Sequence, residues 1–351
     1  MEGLRALLLG LFAIVIITNE TTGFKVIWNV PTELCKVRHN MSFTYVVKEY
    51  GITMNDDDYF RGNEISLLYT PGLFPEIKGY KYDKSLKVPD VSKLTYINGG
   101  LPQDGKIMDH LDAFEIFINK TVPNPRNKGL IIIDMEHFGA TWAQNFNDME
   151  IYRIMSRKKV QDKNPTWTTA EVEKQAKLDY ERAATNFIVK TLAYGKALRP
   201  FAKWGYYQYP QCFNQCNQGS CSASNEADND QMILLWKRSD VLFPSAYLAN
   251  ECTPEGRAII TSGKVKECHR VLKKYNTTAN VYPYIYFKYF FHDTFVPDID
   301  IENLIKVPKD EGADGIIIWG SSNDLNNLER CKMFDDYVRK TIGPIAKKYV
   351  S

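Results

Sequence analysis

The segment 130–136, Leu-Ile-Ile-Ile-Asp-Met-Glu, constrains the fold of this chain more than any other. A run of branched apolar residues without polar alternation reads as a strand buried on both faces, the kind found in parallel sheets. Side chains two apart on a strand share a face. Asp134 and Glu136 therefore point the same way, roughly 6–7 Å apart along the strand, where the apolar run stops. Such a pair gains little from burial and is well placed for acid–base chemistry. Solvated acids at an ordinary strand end would give the same pattern.

Six further short apolar runs qualify as strands: 24–29, 65–69, 203–207, 241–245, 280–286 and 315–319. Helical patterns lie between several of them. Ile107, Leu111, Phe114 and Ile118 keep one helix face. Thr168 and Glu171 are spaced as a capping box, opening a long helix that should end before Pro200. Thr253-Pro254 starts another, and 325–337 has a last amphipathic pattern. The polar, basic stretch 148–167 reads as a mobile flank.

Strands alternating with helices mean βα units and a parallel sheet. Seven such runs, with no Gly-x-Gly-x-x-Gly after the first, predict a distorted TIM-like (β/α) barrel of about seven parallel strands in one catalytic domain, 24–351. In such a barrel the site lies at the carboxyl ends of the strands. Tyr69, Asp134, Glu136, Tyr206, Tyr207, Tyr247 and Trp319 all fall there. Aromatics make up 13% of the chain, which suits either a sugar-binding cleft or a large core.

Residues 6–17 are an unbroken apolar run of twelve behind Arg5, the length of a signal-peptide core and short of a membrane span. The expectation is a signal peptide over 1–23 and a secreted, extracellular, soluble monomer without membrane attachment. Asn40, Asn119 and Asn276 start glycosylation sequons, as does Asn19 beside the signal. Seven cysteines in a secreted chain imply disulfides with one thiol left over. Cys35 and Cys331 would tie the first and last strand regions together. None has zinc-site spacing beside suitable His, so neither a metal nor a cofactor is expected. A net charge of +2 without a long basic run argues against nucleic acid as a partner.

Longer stretches resemble the hyaluronidases of insect venom and saliva and of vertebrates, over about residues 25–347. Ile27-Trp28-Asn29-Val30-Pro31-Thr32, Trp204-Gly205-Tyr206-Tyr207-Gln208-Tyr209-Pro210, Leu242-Phe243-Pro244-Ser245-Ala246-Tyr247 and Ala313-Asp314-Gly315-Ile316-Ile317-Ile318-Trp319-Gly320-Ser321-Ser322 carry the likeness. The resemblance implies an endo-β-N-acetylhexosaminidase acting on hyaluronan, with chondroitin as a second candidate substrate. It places the acid/base role on Glu136 and makes Asp134 the residue that orients the substrate's acetamido group. The acetamido oxygen is then the nucleophile, a substrate-assisted exception to the two-carboxylate scheme. Tyr69, Tyr207, Tyr247 and Trp319 become substrate-binding residues. Repulsion between the acids should raise one pKa, and a raised Glu136 could hold the transferable proton. The resemblance also pairs Cys35 with Cys331 and Cys212 with Cys221. A Cys252–Cys268 bridge is then the remaining guess, with Cys216 unpaired.

One segment departs from the family pattern. After Glu136 the family usually continues, one residue later, with Trp-Arg-Pro, where this chain has Phe138-Gly139-Ala140. Loss of an Arg beside a polyanion site would remove a charge-assisted contact, for which a protonated His137 could substitute. The alternative reading is therefore a weak or inactive homologue that binds glycans. A chitin-directed hydrolase is disfavoured, because the longer acidic run of those enzymes is absent around Asp134.

Overall fold

Strands and helices alternate along the computed structural model, which describes residues 23–82 and 90–351. The apolar segment 6–17, the predicted signal and Asn19 lie outside the described residues. The strands are β1 (Lys25–Asn29), β2 (Ile65–Tyr69), β3 (Glu76–Lys78), β4 (Thr95–Ile97), β5 (Leu130–Asp134), β6 (Lys203–Tyr206), β7 (Val241–Leu242), β8 (Asn280–Val281), β9 (Tyr284–Tyr286) and β10 (Gly315–Trp319). The helices are α1 (Glu33–His39), α2 (Tyr45–Tyr50), α3 (Ile107–Thr121), α4 (Glu150–Lys163), α5 (Thr169–Leu198), α6 (Ala223–Asp230), α7 (Ile233–Trp236), α8 (Pro254–Lys274), α9 (Asp298–Asp310), α10 (Leu328–Tyr337) and α11 (Gly343–Tyr349).

Eight of these strands form a parallel ring, while β3 and β4 make an antiparallel hairpin outside it. Ladders join β2 to β5, β5 to β6, β7 to β8, β9 to β10 and β10 to β1. Single bridges Tyr207–Phe243 and Ser245–Tyr284 complete the side around β7. The predicted strands 241–245 and 280–286 are broken at Pro244 and Pro283, which have no N–H to give a ladder. Their carbonyls still accept, from Tyr284 N and Ile317 N at 2.9 Å. The ring therefore bends without opening.

Between β1 and β2 the segment at Thr53 intervenes. It bridges Ile27 in parallel, with Trp28 N donating to Thr53 O and Thr53 N to Val26 O at 2.8 Å, and side chains carry the connection on to β2. Asn55 Oδ1 accepts from Glu64 N and Ile65 N, and its amide donates to Ile65 O. Asn29, buried at the end of β1, donates to Phe60 O and accepts from Tyr284 OH across the lumen. Together with the Thr53 bridge these bonds take the place of a direct β1–β2 ladder.

Strand alternation sorts the core into two bodies. Ile27, Ile65, Leu67, Leu130, Ile132, Val241, Phe243, Tyr284 and Ile317 fill the lumen, with Tyr207, Tyr247 and Trp319 resting on top. The opposite parity, including Val26, Leu68, Ile131, Ile133, Ile316 and Ile318, packs against the helices. Gly205 faces a lumen too narrow for more: an added Cβ would lie 2.2 Å from Val241 O.

The predicted helices form, with adjustments. Thr168 and Glu171 make the reciprocal capping box, and α5 stops at Leu198. Thr253 caps α8 with Pro254 at its first turn. On α3 the buried face is His110, Phe114 and Ile118, with Ile107 and Leu111 at its margin. The stretch 148–167 is not a mobile flank. It holds α4, which packs on α5 through Ile151, Tyr152 and Val160. Most of its charges are paired: Arg157 with Glu150 and Glu173, Lys158 with Asp162, Lys159 with Asp104.

Disulfides join Cys35 to Cys331 and Cys212 to Cys221, as the resemblance implied. The third corrects the remaining guess: Cys216 pairs with Cys252, and Cys268 is the free, buried thiol. Helix geometry explains why. Cys252 precedes the N-cap of α8, whereas Cys268 lies well inside it, about 20 Å along at 1.5 Å per residue. Disulfide Cα atoms come no farther apart than about 7 Å. Asn40 and Asn276 are exposed at chain turns, and Asn119 is exposed in the last turn of α3. Among the described residues no helix is long and apolar enough to cross a membrane.

Candidate active site

The carboxyl ends of the ring strands open into a cleft of about 430 Å³. Leu67, Tyr69 and Thr70 line it from the end of β2, Asp134, Glu136 and His137 from β5, and Tyr207 from β6. Tyr247 and Phe290 complete the wall from beyond β7 and β9, and Trp319 from the end of β10. The parity read from the sequence holds. Asp134 and Glu136 face the cleft, while Met135 between them is buried with the outer core.

Among the described residues neither carboxylate meets a cation or a hydrogen-bond donor, and the residues lining the cleft include no Lys or Arg. Asp134, half-buried at the strand end, is pushed up to about 8, first by desolvation and then by the Glu136 charge. Glu136 reaches solvent, yet protein surrounds most of it, and that desolvation raises its pKa too. Both acids are raised, and the deeper Asp134 more. The pair thus titrates as a unit that keeps one proton around neutrality.

The aromatic residues are organised around these acids. Tyr247 stacks on Trp319 at 5.5 Å and 20°. Trp319 Nε1 donates to the Tyr69 hydroxyl at 2.9 Å, and Tyr69 stacks on Phe60. Tyr207 OH donates to Ser245 Oγ at 3.2 Å and contacts the Tyr247 hydroxyl. Burial raises the pKa of Tyr69, Tyr207 and Tyr247, so all three hydroxyls keep their protons as donors. Tyr206, also at a strand end, is turned outward and donates to Ile188 O of α5. Alternation allows only one of the two adjacent tyrosines to face the cleft.

His137 does not supply the positive charge considered from the sequence. Burial lowers its pKa, although its Nδ1 lies 3.3 Å from Glu76. It is a neutral ring at neutral pH. Position 139 has no room for a side chain. An added Cβ would lie 2.3 Å from Gln144 Cβ, and Gly139 is tied to Asn145 and the Tyr180 hydroxyl. Phe138 packs inward on Tyr152 and Phe74. The departing segment is thus a repacked loop wall and not a lost contact surface. Sequence reasoning missed Phe290, Thr70 and Ser245 as parts of the site. Only Ser245 had a signal, its place beside Pro244 at a strand end.

The family model described as Hyaluronidase matches residues 15–350. This chain belongs to the hyaluronidase family. It is accordingly a glycoside hydrolase. The hyaluronidase of Apis mellifera is 37% identical over 98% of this chain and 89% of the relative. Hyaluronidase Tab y 2.0101 of Tabanus yao is 36% identical over 92% and 91%. Inactive hyaluronidase B of Vespula vulgaris is 31% identical over 93% and 94%. The crystal structure of bee venom hyaluronidase in complex with hyaluronic acid tetramer superposes with a TM-score of 0.86 at 35% identity. It covers 93% of this chain and 99% of that one. The hyaluronidase-family barrel expected from the sequence is therefore the fold observed.

Proposed function

We propose that this hydrolase is a secreted endo-β-N-acetylhexosaminidase that cuts hyaluronan. The observation that carries the reading is the pair Asp134–Glu136 at the end of β5: two acids on one face, without a charge partner among the described residues, both raised, in an aromatic cleft whose lining residues include no Lys or Arg. Such a lining suits a neutral N-acetylhexosamine at the point of cleavage better than the neighbouring uronate.

In this mechanism the pair enters with one proton. The substrate's acetamido N–H donates to Asp134, and a hydrogen bond to the charged form favours ionisation there. The proton then resides on Glu136, which gives it to the glycosidic oxygen as that bond breaks. The acetamido oxygen attacks the anomeric carbon and closes a ring within the sugar. Glu136, now a carboxylate, takes a proton from the water that reopens the ring, and configuration is retained. Tyr207 and Tyr247 donate hydrogen bonds to the acetamido group or to the developing charge. Trp319, braced by Tyr69 and Tyr247, forms the apolar wall under the sugar.

The Inactive hyaluronidase B relative keeps a glycan-binding reading in view. The catalytic reading is favoured because both acids are present and the departing segment packs away from the cleft. Glu136→Gln should keep the fold and hyaluronan binding while losing chain cleavage in a viscosity assay. A variant that depolymerises hyaluronan as fast as the parent removes Glu136 from this role.

A further inference from the structure

Beyond β9 the chain folds back as a small hairpin. Lys288 and Phe295 pair antiparallel, Tyr289 N donates to Thr294 O, and His292 N donates to Tyr289 O. The tip presents Phe290 and Phe291 with ring centroids 4.0 Å apart. Phe290 forms part of the cleft wall, 6.1 Å from the Tyr247 ring. Phe291 is 89% exposed and sits at φ +66°.

Neither feature of Phe291 serves stability. A bulky side chain in the left-handed region is a conformational outlier that persists only where the surroundings impose it. A phenyl ring left in water also gives up its burial energy. The surroundings here are firm. Lys288 is buried and donates to Asp293 at 2.5 Å and Asp324 at 2.9 Å. Arg330 binds Asp293 at 2.7 Å, and Phe290 N donates to Leu248 O at 2.7 Å.

We propose that Phe290 and Phe291 form a sugar-stacking platform that extends the cleft by one subsite, for the sugar next to the Trp319 wall. This rests on the reading of the cleft as a polysaccharide site. Continuity names the occupant: a chain that passes Tyr247 reaches Phe290 next, with no break in the wall. Charge names the mode of recognition. Lys288 and Arg330 are already paired with carboxylates, so the platform offers ring faces and no free Lys or Arg for a uronate. It takes the C–H face of the sugar, whose positive edge suits an aromatic face.

The test uses the full chain as Glu136→Gln, so that ligand is not consumed, and compares it with Glu136→Gln/Phe291→Gly. Binding of a hyaluronan decasaccharide is measured calorimetrically, with a tetrasaccharide as the short control. The second variant should bind the decasaccharide about threefold to tenfold more weakly, with a smaller change for the tetrasaccharide and an unchanged salt dependence. Its thermal midpoint should equal or exceed that of the single variant, because glycine accepts the positive φ. Phe291→Trp in place of glycine should restore affinity. Equal decasaccharide affinity with and without Phe291 overturns the platform alone. A folded Glu136→Gln that binds no decasaccharide overturns the cleft reading, and the platform with it.

Discussion

Two groups of acids stand at the same end of the barrel and have opposite surroundings. On β5, Asp134 and Glu136 have no charge partner among the described residues, and both are raised, Asp134 up to about 8. Across the rim, beside β9 and β10, Asp293 is held down to about 2 by Arg330 and Lys288. Asp324 there accepts from Lys288, the Tyr286 hydroxyl and Ser321 N. Carboxylates that anchor structure are satisfied, and those poised for proton transfer are not. The comparison separates chemistry from scaffolding without reference to any relative.

Removing one member from each group should produce opposite losses. Glu136→Gln should lower kcat for hyaluronan about 10³-fold, within the range a positioned general acid supplies, with the thermal midpoint unchanged. Steady-state viscometry alongside a melting curve checks both halves. Lys288→Met leaves the buried Asp324 charge without its cation, a loss of about 3–5 kcal/mol where a buried pair is broken on one side. Urea unfolding reads that loss, and the Asp134–Glu136 pair should keep its pH behaviour in the folded fraction. If Lys288→Met unfolds at the parent's midpoint, the rim network is ornamental and the contrast fails.

Gly139→Arg restores the residue type usual in the family and asks whether the departure is a missing contact. The site has no room for a Cβ, so the expected result is a destabilisation of about 1–3 kcal/mol from overpacking, without a lower KM. A tighter KM at undiminished stability would show that the loop opens to accept the guanidinium. The smallest effect concerns Asp134 and stability. Its folded pKa, about 8, lies above the unfolded value of about 4. Its favourable contribution is therefore complete below pH 4 and is lost as pH rises through 8. Asp134→Asn should match the parent in thermal midpoint at pH 4 and exceed it at pH 9, on the order of 1 kcal/mol once solvent access to the cleft is allowed for. Equal midpoints at both pH values would mean that Asp134 ionises freely.

The barrel and the acids were legible because period-2 parity carries them. Leu130, Ile132 and Asp134 share one face, and the run ends where the cleft begins. What the sequence hid depended on packing between distant segments. The connection between β1 and β2 runs through Thr53, Asn55 and Asn29, whose partners are known only once the ring closes. Paired charges favour α4 in the polar stretch 148–167, since Arg157, Lys158 and Lys159 each find an acid on another turn or element. Phe290 reaches the cleft from a hairpin that no strand pattern announced, and Gly139 could be judged only against Gln144. The Cys252–Cys268 guess could have been rejected from helix rise alone.

The central claim is that one proton, held by two acids that meet no cation among the described residues, is what the cleft delivers to its substrate. The pH profile of kcat/KM for hyaluronan cleavage, followed by viscometry from pH 3 to 10, tests it directly. The expected profile falls on the acid side, where the pair takes up a second proton, and on the alkaline side at or below about pH 8, where it gives up its last one. Cleavage undiminished at pH 10, or none at any pH by the folded protein, would contradict it.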